Sequence, residues 1–318
     1  MKWAVRTVTT SYVTAFAAVY AVAMVALILK GVYPLAEPVF VLAVFGIVLP
    51  SIALALSRRC SPLSVRVEAR NREILTTFAL VAFIVFYLVW GSDRVDALIF
   101  RHVDETPRLE FFLTIAKKLV VFVLVPYLVL SRAFGYRWRD FGFVKDWRTA
   151  FRPPYLVLML VFFGLYLAIQ FLAGQAAQPV FRGEFPATTV FVGGILSYCL
   201  LVLEVGLVEE FFFRAVLQAR LAVWLKSEVG GLLLMALIFG LAHAPGLYLR
   251  EAGLVTSLGA TPDLVSVLAY SIAVLSLAAL AFGVIWMKTR NIYVLILIHA
   301  WVDTLPGLPA FIEIFNLR

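Results

Sequence analysis

Nine apolar stretches recur along this chain, at roughly 7–29, 34–56, 74–91, 111–131, 153–173, 189–213, 231–248, 264–286 and 291–304. A helix needs about 20 apolar residues to cross the hydrocarbon core of a bilayer. Inside that core only helices and closed barrels satisfy their own backbone groups. The runs are long and continuous, without the alternation of barrel strands. The expected fold is therefore all-α, a polytopic transmembrane helix bundle of about 8–9 membrane helices. Two runs are weaker than the rest. The fourth carries Lys117 and Lys118, and the ninth is short and followed by Pro306 and Pro309, which are expected to end it. Composition agrees with a lipid solvent: 63% of the 318 residues are hydrophobic and only 14% are charged, against about 25% charged in a soluble domain.

The net charge of +8 would suggest nucleic acid in a soluble chain. Here the basic residues lie between the apolar runs, so topology accounts for them and no nucleic-acid partner is expected. With the N-terminus in the cytoplasm, 18 of the 27 Lys and Arg fall on the inner side and seven on the outer, Lys117 and Lys118 being within a run. That bias places the N-terminus inside and the C-terminus outside. Lys2 and Arg6 precede a first run too long for the core of a signal peptide, so it is read as a retained helix. Cys60 and Cys199 have no disulfide or metal spacing and are read as inert thiols. The segment 132–154, RAFGYRWRDFGFVKDWRTAFRPP, mixes aromatic with basic residues and reads as an interfacial segment lying on lipid headgroups. The first 131 residues carry no recognisable chemistry. They read as N-terminal transmembrane helices (1–131) placed before a second part, the core (132–318).

A charge at the centre of a spanning helix costs about 2.5–3.5 kcal/mol on insertion scales, so such residues are functional candidates by default. Three short segments concentrate them. Glu209-Glu210-x-x-x-Arg214 puts Glu210 and Arg214 four apart on one α-helical face, acid before base. Glu209 points about 100° away and is left available for chemistry. In FGLAH, Phe239 and His243 share a face, and in HAWVD so do His299 and Asp303. Of the three histidines, only His102 lies in a charged loop, where solvation is expected. Each segment alone has a plain structural explanation. A Glu–Arg pair clamps helices, and a histidine in a helix is often a packing residue. The ordered trio in three apolar runs is far more specific. The sixth and seventh runs form a hairpin turning near Lys226–Gly230, with Glu209 and His243 each about 25 Å from the turn.

The pattern E-E-x3-R, F-x3-H and H-x3-N/D in separate membrane helices resembles the CAAX protease and bacteriocin-processing family of intramembrane endopeptidases. The resemblance covers roughly residues 140–305. It implies a glutamic type of protease. Glu209 would be the general base that activates water, and His243 would position that water. His299 and residue 303 would stabilise the oxyanion, with Glu210, Arg214 and Phe239 supporting the architecture. The best-described members carry Asn at the last position, whereas this chain has Asp303. An ionised carboxylate repels an oxyanion, so Asp303 either is protonated or orients His299. No cofactor is implied. The expected partners are membrane lipid and a membrane-anchored or lipidated protein or peptide substrate. The site would lie in the cytoplasmic half of the membrane.

Two other readings use the same residues. Glu209, His243 and His299 form a His2Glu set of the kind that holds catalytic zinc, although H-E-x-x-H is absent. Alternatively, the acidic cluster serves a non-enzymatic membrane scaffold, an immunity protein or a transporter with a proton relay.

Overall fold

The computed structural model describes residues 2–31, 35–68, 71–101, 103–249, 258 and 262–317, with side chains from Thr10 onward. Among the described residues the chain is helical, with no strand. Among the described residues, nine helices are long and apolar enough to cross a membrane: α1 (Thr10–Lys30), α2 (Ala36–Ser57), α3 (Asn71–Ile99), α4 (Pro107–Phe134), α5 (Pro153–Ala173), α6 (Ala187–Trp224), α7 (Glu228–Leu249), α8 (Leu264–Thr289) and α9 (Ile292–Phe315). Each corresponds to one of the nine apolar runs. Large apolar side chains on them face outward. Leu29, Leu75, Leu172 and Phe191 are between 69% and 80% exposed, a surface that a soluble protein would bury. The chain is an integral, multi-pass membrane protein.

Several helices outrun their apolar stretches. The α3 helix continues through Asp93 and Asp96 to Ile99. Lys117 of α4 pairs with Asp96, and Lys118 pairs with Glu204 of α6 at 2.9 Å. The two lysines that weakened the fourth run are thus paired inside the protein, which removes much of their insertion cost. The expectation that Pro306 and Pro309 end the ninth helix is corrected: α9 runs through both to Phe315. Each proline removes one hydrogen bond. Unwinding the helix among apolar neighbours would strand several backbone groups at once, so the chain keeps the helix.

The residues form two compact units. One comprises Met1–Ser61, Arg66–Arg94 and Phe213–Arg290; the other comprises Pro62–Val65, Val95–Phe212 and Asn291–Arg318. In the first, α8 is the central helix, and Gly240 of α7 lets the helices meet closely. A side chain at residue 240 would collide with Ser271 and Ser276 of α8. Small residues permit such contact where lipid gives helices no hydrophobic reason to associate. The α6–α7 turn falls where the sequence places it. Lys226 adopts a positive φ of 52°, and Ser227 caps α7 by accepting from the Gly230 amide at 3.0 Å. Arg220 departs from the sequence reading. It is not a loop charge but a buried residue of α6, 1% exposed, with Glu73 of α3 at 2.7 Å.

In the second unit α9 is the core helix. Trp301 donates to the Phe163 carbonyl of α5 at 2.9 Å and stacks on its ring. Tyr198 of α6 donates to the Leu297 carbonyl at 3.3 Å. These bonds fix the rotation of α9 and therefore the direction of His299. Both cysteines are free thiols. Burial pushes the Cys60 thiol above its ordinary value, which agrees with an unreactive role.

Candidate active site

The acidic motif lies on an unusual helix. Within α6, residues Val202–Leu207 and Glu210–Gln218 form π-helical turns, with an α-helical step at Val208 and Glu209 between them. Wide turns of this kind are rare and occur frequently at functional sites. They change which residues share a face, so the α-helical spacing used on the sequence does not carry over directly to Glu210 and Arg214.

Gly206 brings α6 against α9. A Cβ there would lie 2.5 Å from the Ile296 carbonyl oxygen, closer than any side chain tolerates. One turn further along, the two helices present their polar groups to one another. Glu210, fully buried, places Oε1 2.6 Å from His299 Nδ1. Across the ring, His299 Nε2 lies 3.7 Å from Glu209 Oε2 and 3.9 Å from Asp303 Oδ2. The first distance is a strong charge-assisted hydrogen bond. The other two are electrostatic contacts beyond direct hydrogen-bonding range. Glu209, Glu210, His299 and Asp303 therefore come together in one unit around a single imidazole.

The carboxylates differ in access. The Glu209 side chain is 19% exposed and that of Asp303 41%, whereas that of Glu210 is fully enclosed. The Glu209 side chain reaches the surface of the protein in part, whereas that of Glu210 does not. Glu210 instead fixes the ring. With the proton on Nδ1 donated to Glu210, Nε2 is directed toward Glu209 and Asp303. The sequence assigned Glu210 to architecture and gave no sign of this bond.

Gly206→Val tests the close approach. It should destabilise the protein by about 1–3 kcal/mol, the cost of overpacking, and separate Glu210 from His299. Thermal melting in detergent reads the first effect. Melting at the wild-type temperature would show that the helices yield freely.

Three further motif residues gather in the other unit. Arg214 is fully buried, its guanidinium over the rings of Phe239 and Phe282 at 4.8 and 5.4 Å. Such stacking stabilises a desolvated cation. The Phe239 ring also lies 4.8 Å from that of His243. His243 Nδ1 meets the Phe239 carbonyl oxygen at 2.8 Å. A carbonyl can only accept, so Nδ1 is the donor in this bond. His102 lies outside the described residues.

Glu204 escaped notice in the sequence, although its charge and that of Lys118, opposite and in two apolar runs, are the signal for an intramembrane pair. Among the described residues, no group of three His, Cys, Asp or Glu side chains is arranged to hold a metal ion, so the zinc set of Glu209, His243 and His299 has no geometric support.

Comparison with curated proteins and with solved structures gives no match. A family model does match: residues 191–305 fit the family described as Type II CAAX prenyl endopeptidase Rce1-like. This range begins later than the roughly 140 read from the motifs, but it contains Glu209, Glu210, Arg214, Phe239, His243, His299 and Asp303. Residues 191–305 of this membrane protein are thus similar to the Type II CAAX prenyl endopeptidases, in agreement with the resemblance read from the motifs.

Proposed function

We propose that the chain is an intramembrane endopeptidase that hydrolyses a peptide bond in a membrane-anchored or lipidated protein or peptide. The observation that carries this reading is the single imidazole of His299, bonded to buried Glu210 on one side and facing the more accessible Glu209 on the other. Peptide hydrolysis needs a base beside a water and donors beside the developing oxyanion. Glu209 takes the proton from the attacking water. His243 is assigned to positioning that water from the family resemblance alone. The doubly protonated His299 ring donates to Glu210 and, through Nε2, to the oxyanion. The family match, with its prenyl endopeptidase description, supports a lipid-modified substrate.

Asp303 is assigned to the oxyanion in its protonated form. Orientation of His299 is the work of Glu210, whose bond is the shorter by more than 1 Å. Asp303→Asn should therefore keep cleavage within about tenfold of wild type, because an amide supplies the same donor. Loss of activity comparable to that in Glu209→Gln would return the orienting role to Asp303.

No step uses a cofactor, and chelators should leave the rate unchanged. In this reading residues 1–131 are an added helical module and 132–318 the protease core. The N-terminus is cytoplasmic. His299 lies seven residues into α9, about 10 Å from its inner end, in the cytoplasmic half of the bilayer.

The test compares protein termini in membranes from cells carrying wild type or Glu209→Gln at equal abundance. New termini found only with wild type would establish proteolysis and name the substrate. Identical termini, with the native neighbouring genes present, would favour a scaffold, an immunity protein or a transporter.

A further inference from the structure

The segment joining α4 to α5 has two unlike sides. Outward it shows six basic side chains, Arg132, Arg137, Arg139, Lys145, Arg148 and Arg152, with Trp138 and Trp147 between them. Trp147 is 67% exposed. None of the six forms an ion pair with a carboxylate among the described residues. The two local acids serve the backbone instead. Asp140 accepts from the Arg137 amide at 2.8 Å. Asp146 accepts from the Arg148 amide at 3.1 Å and the Thr149 hydroxyl at 2.8 Å.

Inward, the same segment grips both helices that build the His299 cluster. The rings of Trp138, Phe141 and Phe143 lie 5.7, 5.1 and 6.2 Å from that of Phe211, the residue after Glu210. At the start of α9, Asn291 donates to the Ala150 carbonyl at 2.7 Å, and Tyr293 donates to that of Val144 at 3.1 Å. The Phe143 ring meets Tyr293 edge-on at 5.6 Å. One strap thus holds Phe211 on α6 and Asn291 and Tyr293 on α9.

We infer that this strap is a binding surface for anionic phospholipid headgroups, and that lipid bound there tightens the approach of Glu209 and Glu210 to His299. The charge is complementary. A cluster of four to eight Lys or Arg beside a spanning helix attracts an anionic leaflet, and exposed tryptophans seat at headgroup level. Neutral phosphatidylcholine carries no net charge to match six exposed cations of which only Arg152 acts on a local carboxylate, that of Asp146. Because the inner side of the strap is packed on both helices, immobilising its outer side restricts their relative movement. The consequence for catalysis rests on the proposed protease chemistry; the lipid response itself does not.

The experiment uses the full chain in nanodiscs of phosphatidylcholine alone or of phosphatidylcholine with phosphatidylglycerol. Hydrogen exchange is followed at residues 207–212 and 292–299. Phosphatidylglycerol should slow exchange there by roughly threefold, as expected when local opening is suppressed, and high salt should reverse the effect. Joint replacement Arg137→Gln, Arg139→Gln, Lys145→Gln and Arg148→Gln should abolish it. These are surface positions, and a wild-type melting temperature confirms the fold. Phe211→Leu should retain quenching of tryptophan fluorescence by brominated phosphatidylglycerol yet lose the exchange response. Equal exchange in both lipids, or a response that survives the fourfold replacement, overturns the proposal. So does a response to a soluble Asp/Glu peptide in place of lipid, which would assign the surface to a protein segment. Persistence of the response in Phe211→Leu overturns the coupling. Glu209→Gln should respond to lipid as wild type does, and a wild-type protein that never cleaves yet answers to phosphatidylglycerol sinks the protease reading alone.

Discussion

Glu209→Gln should leave a folded, membrane-inserted protein whose cleavage rate is lower by about 10²–10⁴-fold, the usual contribution of a positioned general base. The substitution keeps size and shape and removes only the ability to take a proton. The side chain is partly exposed, so its loss leaves no buried charge without a partner, and melting should change by less than about 0.5 kcal/mol. Glu210→Gln is the informative control. Its oxygen can still accept from His299 Nδ1, but the charge that favours an imidazolium is gone. A drop of about tenfold is expected, since a charge-assisted bond is roughly twice as strong as a neutral one. If Glu210→Gln proves the more damaging of the two, the roles of the adjacent glutamates are reversed and the base is the enclosed one.

Arg220→Met should cost about 3–5 kcal/mol, the range for removing one partner of a buried ion pair. The stranded partner is Glu73, which is 1% exposed. The guanidinium does more than balance that charge. It also donates to the carbonyls of Ala215 and Val216, at 3.1 and 3.0 Å. Both belong to the π-helical stretch of α6, where widened turns disturb the regular ladder. A double replacement, Arg220→Met with Glu73→Leu, removes both charges and should recover most of the thermal stability. Cleavage should recover less than stability does, because nothing then holds the Ala215 and Val216 carbonyls. Full recovery of both would show that the π-helical stretch does not depend on the arginine.

The sequence was most informative where lipid imposes a simple rule. Nine apolar runs became nine helices, since a run of that length in hydrocarbon has no other way to satisfy its backbone. Helix ends were less legible. The α3 helix keeps Asp96 and α4 keeps its two lysines because those charges find one another, and pairing between distant residues leaves no local mark. The same holds for Arg220 and Glu73. For the site, motif order and the cost of placing charge in a membrane singled out Glu209, Glu210, His299 and Asp303 as candidates. The partner of Glu210 did not. A helical wheel predicts neighbours on one helix, and His299 reaches Glu210 from another, across a gap that only Gly206 permits. The connector 132–154 was legible as amphipathic, but its inward grip on Phe211 depends on tertiary packing.

The π-helical stretch Glu210–Gln218 also gives α6 a phase reserve. Relative to an unbroken α-helix, a widened turn accommodates surplus backbone without further rotation, and in regular turns one residue corresponds to about 100° of rotation. A one-residue deletion between Phe211 and Gln218 would therefore let the helix close into regular turns without breaking. The helix after the deletion would keep its azimuth. Elsewhere in a spanning helix, losing one residue turns all that follows by about 100° and displaces the pattern of buried and lipid-facing side chains. Insertions and deletions at this place are thus a distinct class of change: the polypeptide still threads the bilayer, and the azimuth of its acidic and basic groups is kept. In a lineage of such chains, length variation inside the motif would be absorbed by the turn rather than act as damage.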